Sequence, residues 1–584
     1  MPAGDADLWR GRARRHGPAL AGYVVLIAAF FWQVLAHINT RILSDGRDGA
    51  TFLWSMWALP KELFSGHNPF VTDLMFHPVG ARLGFHTAIP LESFLSAPLA
   101  KVVGFAAATN LVRLAAAVLA GFGAYLLAYH ECRQRLPAFV AGAAFALAPY
   151  QIANSYGHFN LQQTQFLPFG VLALLLLLER PTRLRALMTG LVFAACVWTD
   201  LYYTFFLLFA WALIVVWHLR KTLRAKFLAR AGEAAGYAAI LSAPFVYELV
   251  QELVKFNELD RLKSWGQAEL YSADLLSWVV PPSTHPWWGA TFANLNERVS
   301  GGDRMAFPGF VILALGVVGA IWGGTRRRHL WTLMALGFAI LSFGPFLHVN
   351  GWQGSRFDIY DARFSIPMPF AALRFVPVIN GVRTPGRFSI MTMLALSVLA
   401  ALALARLGGR FPAARRGICA GALALVLLEF LPGHLPFQPA AAPRPYRAIA
   451  NDPGRLAVLE LPLVLRWGFG ALGNPAVDAN IHLFYATKHG KPIVSGFHAR
   501  FPQRRMLELQ TIPVVRQVLA LQGDRHFDEA PTFGVDDLQH EGIGYVVYHR
   551  DNPQPKALEY FSRLHLPVLA DDGNVTVWKV PAPK

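Results

Sequence analysis

Two carboxylates and an arginine share a glycine-rich turn, Ser44-Asp45-Gly46-Arg47-Asp48-Gly49-Ala50, just past the first apolar segment of the chain. A carboxylate held in a tight turn over a bilayer can act as a general base. It would take the proton from an acceptor hydroxyl as that hydroxyl attacks the anomeric carbon of a sugar. The second carboxylate, three residues away, can hold a divalent cation or orient the first. The same spacing also fits a plain structural use, in which Asp45 caps the turn and Asp48 N-caps a helix starting near Ala50.

A second group is Arg383-Thr384-Pro385-Gly386-Arg387, ahead of an apolar run that begins near Phe388. Two guanidinium groups at a helix start can bind a phosphate in bidentate fashion. An enzyme with a lipid-phosphate leaving group needs that. Snorkelling of both arginines to headgroups is the alternative. A third group is Ser155-Tyr156-Gly157-His158-Phe159-Asn160-Leu161-Gln162-Gln163. There His158 can bind a metal or donate to phosphate, and Asn160 and Gln162 can hydrogen-bond sugar hydroxyls. In Thr199-Asp200-Leu201-Tyr202-Tyr203, Asp200 is placed to pair with an arginine, and the tyrosines to stack on sugar or join an interfacial belt. Tyr271-Ser272-Ala273-Asp274 reads as the cap of a helix lying along the membrane.

The elements that must carry these groups are mostly apolar. Of 584 residues, 54% are hydrophobic and only 15% charged, against about 25% charged in soluble globular chains. The mean hydropathy is +0.36. The apolar residues come in blocks near the ~20 residues that span ~30 Å of hydrocarbon. The chain therefore reads as an α-helical polytopic membrane protein. Its net charge of +17 lies in short clusters between apolar blocks, the pattern of topology determinants, so nucleic acid is not an expected partner. Cys132, Cys196 and Cys419 are far apart and suggest neither a disulfide framework nor a metal site.

Charge placement predicts about eleven transmembrane helices. The first covers 17–36. The others fall at 109–130, 138–152, 165–178, 184–199, 203–219, 232–248, 306–324, 329–347, 388–406 and 416–433. Residues 51–65 read as an interfacial helix, and 90–107 as a second interfacial or re-entrant helix. The N-terminus then lies in the cytoplasm, and the acidic turn, the 153–164 loop, the loops 249–305 and 348–387 and the tail lie outside, in a bacterial plasma (inner) membrane. Residues 1–433 form the transmembrane unit. A Pro-rich linker, 432–446, leads into 434–584, read as a small extracytoplasmic α/β domain. Its strands are expected at 456–461, 492–494, 544–548 and 575–578 from their short apolar, β-branched runs.

Taken in order, these motifs resemble the GT-C superfamily of polytopic membrane glycosyltransferases, particularly its bacterial arabinosyl- and mannosyltransferase-like branch. The resemblance rests on Asp48-Gly49-Ala50 with the Trp-rich segment after it, Asn68-Pro69-Phe70 before His77-Pro78-Val79-Gly80, and Gly157-His158-Phe159-Asn160-Leu161. It continues through Tyr271-Ser272-Ala273-Asp274-Leu275-Leu276, Arg383-Thr384-Pro385-Gly386-Arg387-Phe388 and His489-Gly490-Lys491-Pro492-Ile493-Val494-Ser495-Gly496. It implies a GT-C fold, a polyprenyl-phosphate sugar as donor, a glycan or lipid acceptor, and an acidic first-loop residue as base in an inverting reaction. Asp48 matches that acidic position better than Asp45. The family's first-loop acids are often adjacent, whereas Gly46-Arg47 separates them here. The expectation is therefore an enzyme with no cofactor, a divalent metal being the open alternative.

On this reading the catalytic candidates are Asp48 and Asp45. Arg383 and Arg387 bind donor phosphate, and His158, Asn160, Asp200 and Tyr202 contact substrate. The competing classes are a transporter or flippase of lipid-linked glycans and a non-catalytic envelope scaffold. Transporters of common folds carry internal repeats and midplane polar sites; here the polar groups gather at one face.

Overall fold

In lipid a backbone must satisfy its own hydrogen bonds, and a single apolar segment does so only as a helix. Each apolar block of the sequence is helical. The structure, a computed structural model, describes residues 3–256, 265–351, 357–359, 362–376, 379–468, 470–473 and 480–582. Three of its helices are long and apolar enough to cross a membrane: Phe105–Cys132, Arg135–Asn154 and Pro385–Arg410. The second is interrupted before Pro149, which opens a new turn. Phe166–Glu179, Leu201–Trp217 and Phe310–Trp322 are shorter apolar helices. Helices Ala3–Phe30, Arg183–Thr199, Ala225–Phe256, Arg328–Ser342 and Arg415–Glu429 occupy the remaining expected spans.

The centre of the bundle is Ser389–Arg410, where every residue from Ser389 to Leu404 is buried. Phe105–Cys132, Arg135–Ala146, Phe310–Trp322 and Arg328–Ser342 pack around it. Small residues make this close approach feasible: Ala116, Ala117, Ala120, Ala124 and Ala128 bury one face of Phe105–Cys132. Pro90–Val103 has 14 residues, about 21 Å of helix, which falls short of the hydrocarbon thickness. It ends at Gly104, whose φ of +85° lets the chain turn straight into Phe105–Cys132.

Long-range packing refines two expectations. The helix expected over 51–65 does not lie exposed. Helix Asp48–Phe64 is buried along most of its length, with Leu53, Trp54 and Leu59 fully so. The reason is long-range: Pro90–Val103 packs on it from one side and Asn480–His489 from another. Nor is 432–446 only a linker. Phe437–Pro439 forms a strand antiparallel to Arg41–Leu43, with Ile42 opposite Gln438. That pairing anchors the chain immediately before the acidic turn.

The tail carries two sheets. In the first, Val568–Asp571, Val575–Lys579, Ile543–His549 and Ala457–Leu461 lie in that order. Only the last pair is parallel. The second joins Gly496–His498, Val464–Trp467 and Gly470–Gly473. Of the expected strands, 456–461, 544–548 and 575–578 are present. Residues 492–494 contribute a single bridge, Ile493 to Val458. The tail shares one apolar core with helix Asp48–Phe64 and the segment after it, running from Trp54, Phe70 and Phe76 to Val458, Leu459 and Val546. Backbone bonds from His77 to Ile493 (3.1 Å) and from Phe76 to Ser495 (3.2 Å) reinforce the contact.

The Tyr271–Asp274 motif has a structural use. Asp274 caps the 3-10 turn Leu275–Trp278 through the Leu276 amide (2.8 Å). It also accepts from the amides of Asn350 (3.1 Å) and Gly351 (2.7 Å).

Candidate active site

The acidic turn is built from backbone geometry. Gly46 has φ +76°, a region that favours glycine. Asp45 Oδ1 accepts from the amides of Arg47 (3.0 Å) and Gly49 (3.4 Å), and its own amide donates to the Tyr156 carbonyl (2.9 Å). Asp45 therefore holds the turn. Burial, assisted by the charge of Asp48, pushes its pKa up against the two backbone donors. A Cβ on Gly49 would lie 2.3 Å from Ser44 Oγ and 2.9 Å from the Tyr156 carbonyl, so position 49 admits only glycine without movement.

Asp48 is the first residue of its helix, where the backbone dipoles favour negative charge. Its Oδ2 lies 3.3 Å from His158 Nε2, and each of these side chains keeps 34% of its surface open. Its Oδ1 accepts from Asn480 Nδ2 at 3.2 Å. Burial alone would raise the Asp48 pKa, but the hydrogen bond and charge of His158, helped by Arg466, hold it below the ordinary value. For His158 the balance runs the other way. Burial would lower its pKa, and the negative charges of Asp303 and Asp48 raise it. The two shifts favour the carboxylate form of Asp48 and the imidazolium form of His158.

Arg113 fixes the two loops relative to one another. Its guanidinium donates to the Leu43 carbonyl (2.8 Å), to the Ser155 carbonyl and to Gln162 (3.1 Å). It also stacks 3.5 Å from the ring centre of Phe159. Gln162, expected to meet sugar, is taken up by this structural contact.

The two arginines of the 383–387 motif part company. Arg387 Nη2 forms a buried ion pair with Asp303 Oδ2 at 2.7 Å, and its guanidinium lies 4.9 Å from the ring centre of Tyr202. Burial raises the Asp303 pKa less than Arg387 and His158 lower it. Arg383 instead lines an apolar cleft with Arg500, Tyr202, Asp200, Asn160, Phe205 and Phe245. The Arg383 amide donates to the Tyr202 hydroxyl (3.3 Å), and Arg500 Nη2 donates to the Gly381 carbonyl (2.8 Å). Burial and the neighbouring charge of Arg383 pull the Arg500 pKa down to about 10.

Asp200, expected to pair with an arginine, contacts none among the described residues. Its Oδ2 accepts from Asn160 Nδ2 at 2.6 Å, and its Oδ1 caps the helix Leu201–Trp217 through the Tyr203 amide at 3.1 Å. Burial raises its pKa. Asn160 thus joins the cleft to the 155–163 loop that carries His158. The fold brings His158 to Asp48, and it adds Asp303, Asn480, Arg466 and Arg500, which the sequence did not single out. None of them sits in a recognisable motif. The one available signal was the placement of Arg500 just after the His489–Gly496 motif.

The fold is GT-C-like. It is similar to the arabinofuranosyltransferase AftD from Mycobacteria, with a TM-score of 0.57 and 14% identity, over 98% of this chain and 40% of that one. It is also similar to the Archaeoglobus fulgidus oligosaccharyltransferase, with a TM-score of 0.50 and 11% identity, over 91% of this chain and 69% of that one. The chain thus spans well under half the length of AftD. No curated protein matches the sequence. The chain belongs to the family described as "Domain of unknown function (DUF6311)", whose model matches residues 19–429.

Proposed function

We propose that the protein is a glycosyltransferase. It moves a sugar from a polyprenyl-phosphate donor to a glycan or lipid acceptor on the extracytoplasmic side of a bacterial plasma membrane, with Asp48 as general base. The observation that carries this reading is the setting of Asp48. One oxygen faces His158 and the other Asn480, at the start of a helix, with a third of the side chain open. A carboxylate so oriented can take the proton of an acceptor hydroxyl as the hydroxyl attacks the anomeric carbon and the lipid phosphate departs.

The cleft supports the donor assignment. Phe205, Phe245 and Val197 suit a polyprenyl chain, and Arg383 and Arg500 stand at the same cleft. Arg500, disfavoured as a cation by burial and by the neighbouring charge of Arg383, gains from an anion placed beside the two guanidinium groups. In this reading Arg383 with Arg500 holds the phosphate, while Arg387 and Asp303 set the field around His158. Asn160, Asp200 and Tyr202 face the sugar. His158 and Asn480 orient Asp48, and Asp45 keeps the turn in place. A divalent ion at Asp45 and Asp48 is not needed for this scheme.

The test is transfer in membranes that contain the protein and are supplied with a panel of labelled polyprenyl-phosphate sugars. Label should move to a glycan or lipid fraction with the unaltered protein and not with Asp48→Asn. Undiminished transfer by a folded Asp48→Asn protein would overturn the assignment of the base.

A further inference from the structure

Away from the carboxylate turn, the tail gathers a second set of ionisable side chains. Glu460 lies on strand Ala457–Leu461 and His549 at the end of the neighbouring parallel strand Ile543–His549. His482 comes from the helix Asn480–His489. Each offers one ligand atom, and the three atoms lie within 4.8 Å of one another, all on buried residues. The Tyr446 hydroxyl lies 2.8 Å from Glu460 Oε2 and 3.0 Å from His549 Nε2.

The contact between Glu460 Oε2 and His549 Nε2 (3.0 Å) accounts for two of these groups. It leaves the third unexplained. His482 is 2% exposed, and its Nδ1 is buried with no hydrogen-bond partner among the described residues. Its ring lies nearly parallel to that of His549, with centroids 5.2 Å apart. A buried imidazole nitrogen with no partner, beside a second imidazole and a carboxylate, is a donor set waiting for a Lewis acid. Two imidazoles and one carboxylate suit Zn²⁺, which binds both at about 2.0–2.2 Å. In a tetrahedral site such ligand atoms stand about 3.3–3.6 Å apart, so a modest contraction of this cluster is enough. The Tyr446 hydroxyl then donates to the ligating carboxylate, the kind of outer contact that orients a metal ligand.

We propose that Glu460, His482 and His549 form a binding site for a divalent transition metal, Zn²⁺ by ligand type. The site joins two adjacent strands to the helix Asn480–His489. That helix begins at Asn480, which donates to Asp48. The metal therefore positions the residue that orients the candidate base, and only this last link rests on the function proposed above.

Metal content tests the site without any assay of transfer. The full chain, purified in detergent after growth with zinc and freed of loosely bound ions, should carry about one zinc per chain by elemental analysis. His482→Ala should lose at least nine-tenths of it, and Asp45→Asn and Asp48→Asn should retain it. Co²⁺ added to the stripped, unaltered protein should give the visible ligand-field bands of a low-coordinate nitrogen and oxygen site, and Zn²⁺ should abolish them. This arm needs no variant to fold. Added Zn²⁺ should also raise the Tm of the stripped protein and leave that of His482→Ala unchanged. The proposal is overturned if the unaltered protein holds no more zinc than His482→Ala and shows no such cobalt bands. It is equally overturned if the zinc is lost from Asp48→Asn but kept in His482→Ala.

Discussion

Arg387 Nη2 and Asp303 Oδ2 lie 2.7 Å apart, with side chains only 9% and 12% exposed. They are separated by 84 residues of sequence. A guanidinium engaged in this way is a poor phosphate ligand, because releasing it would leave a carboxylate buried without its partner. Removing one member of a buried pair costs about 3–5 kcal/mol. Asp303→Asn should therefore destabilise the protein by about that amount, measured by denaturant unfolding in detergent. A loss below about 1 kcal/mol would mean that the pair is solvated and that Arg387 is available to a ligand.

Asp45 and Asp48 should respond differently to the same isosteric change. Asn caps a turn nearly as well as Asp, and Asp45 uses Oδ1 to hold the amides of Arg47 and Gly49. Asp45→Asn should leave transfer within a few-fold of the unaltered rate. Asp48→Asn removes the proposed base, and general-base catalysis contributes about 10²- to 10⁴-fold. The ratio of transfer rates in membranes containing equal amounts of each variant measures the difference. Equal losses would make the two carboxylates one functional unit, as a shared cation would require.

The opposed shifts of Asp48 and His158 define a pH window. The folded pKa of Asp48 is below 3.8, so its contribution to stability is present above that value and is lost as pH falls through the folded pKa. The folded pKa of His158 is above 6.5, so its contribution is present below 6.5 and is lost as pH rises through the folded pKa. Both are complete between about pH 4 and pH 6.5. The charge and hydrogen bond of His158 keep Asp48 ionised in acid. His158→Gln should therefore move the acidic limb of kcat/KM to higher pH. An acidic limb that stays in place would show that Asp48 is not the group titrating there.

The helices were legible because lipid leaves an apolar segment few choices, and the strands at 457–461, 543–549 and 575–579 because their β-branched runs are short and bounded. The three polar loops at 44–50, 155–163 and 383–387 were recognisable as chemistry, and the fold does bring His158 to Asp48. The partners were not legible. Asn480 reaches Asp48 across 432 residues, and Phe437–Pro439 looked like a linker because its pairing with Arg41–Leu43 is fixed by tertiary contact, not by local pattern. The spacing of Arg383 and Arg387 suggested one clamp. The 3-10 turn Pro385–Phe388 instead points the two guanidinium groups at different partners.

Glycine at position 49 is a steric requirement of the turn. A methyl group there meets Ser44 Oγ at 2.3 Å and the Tyr156 carbonyl at 2.9 Å. Ser44 is itself held by Gln438 at 2.7 Å, so the hydroxyl cannot swing away without breaking a buried bond. Overpacking of this kind costs about 1–3 kcal/mol. Gly49→Ala should lower the unfolding free energy by that amount and lower transfer along with it, because the displaced turn carries Asp48. A variant with normal transfer and stability would mean that the 44–50 turn relaxes freely.

The separation of the arginines yields a last prediction, which concerns the donor. Arg383 and Arg500 line the cleft together, and the charge of Arg383 helps to pull the Arg500 pKa down to about 10. Like charges lining one cleft repel one another and favour an anion between them. Removing either guanidinium should therefore relieve repulsion in the free protein while weakening the grip on phosphate. A hydrogen bond to a charged group is worth about 1.5–3 kcal/mol, or about 10- to 150-fold in affinity. Arg383→Ala and Arg500→Ala should each raise the KM for a polyprenyl-phosphate sugar by about that factor. If the contact is equally strong in ground and transition states, kcat stays near its original value. A fall in kcat at constant KM would place these arginines on the departing phosphate only as charge develops. An unchanged KM and kcat in both variants would remove the cleft from the donor path.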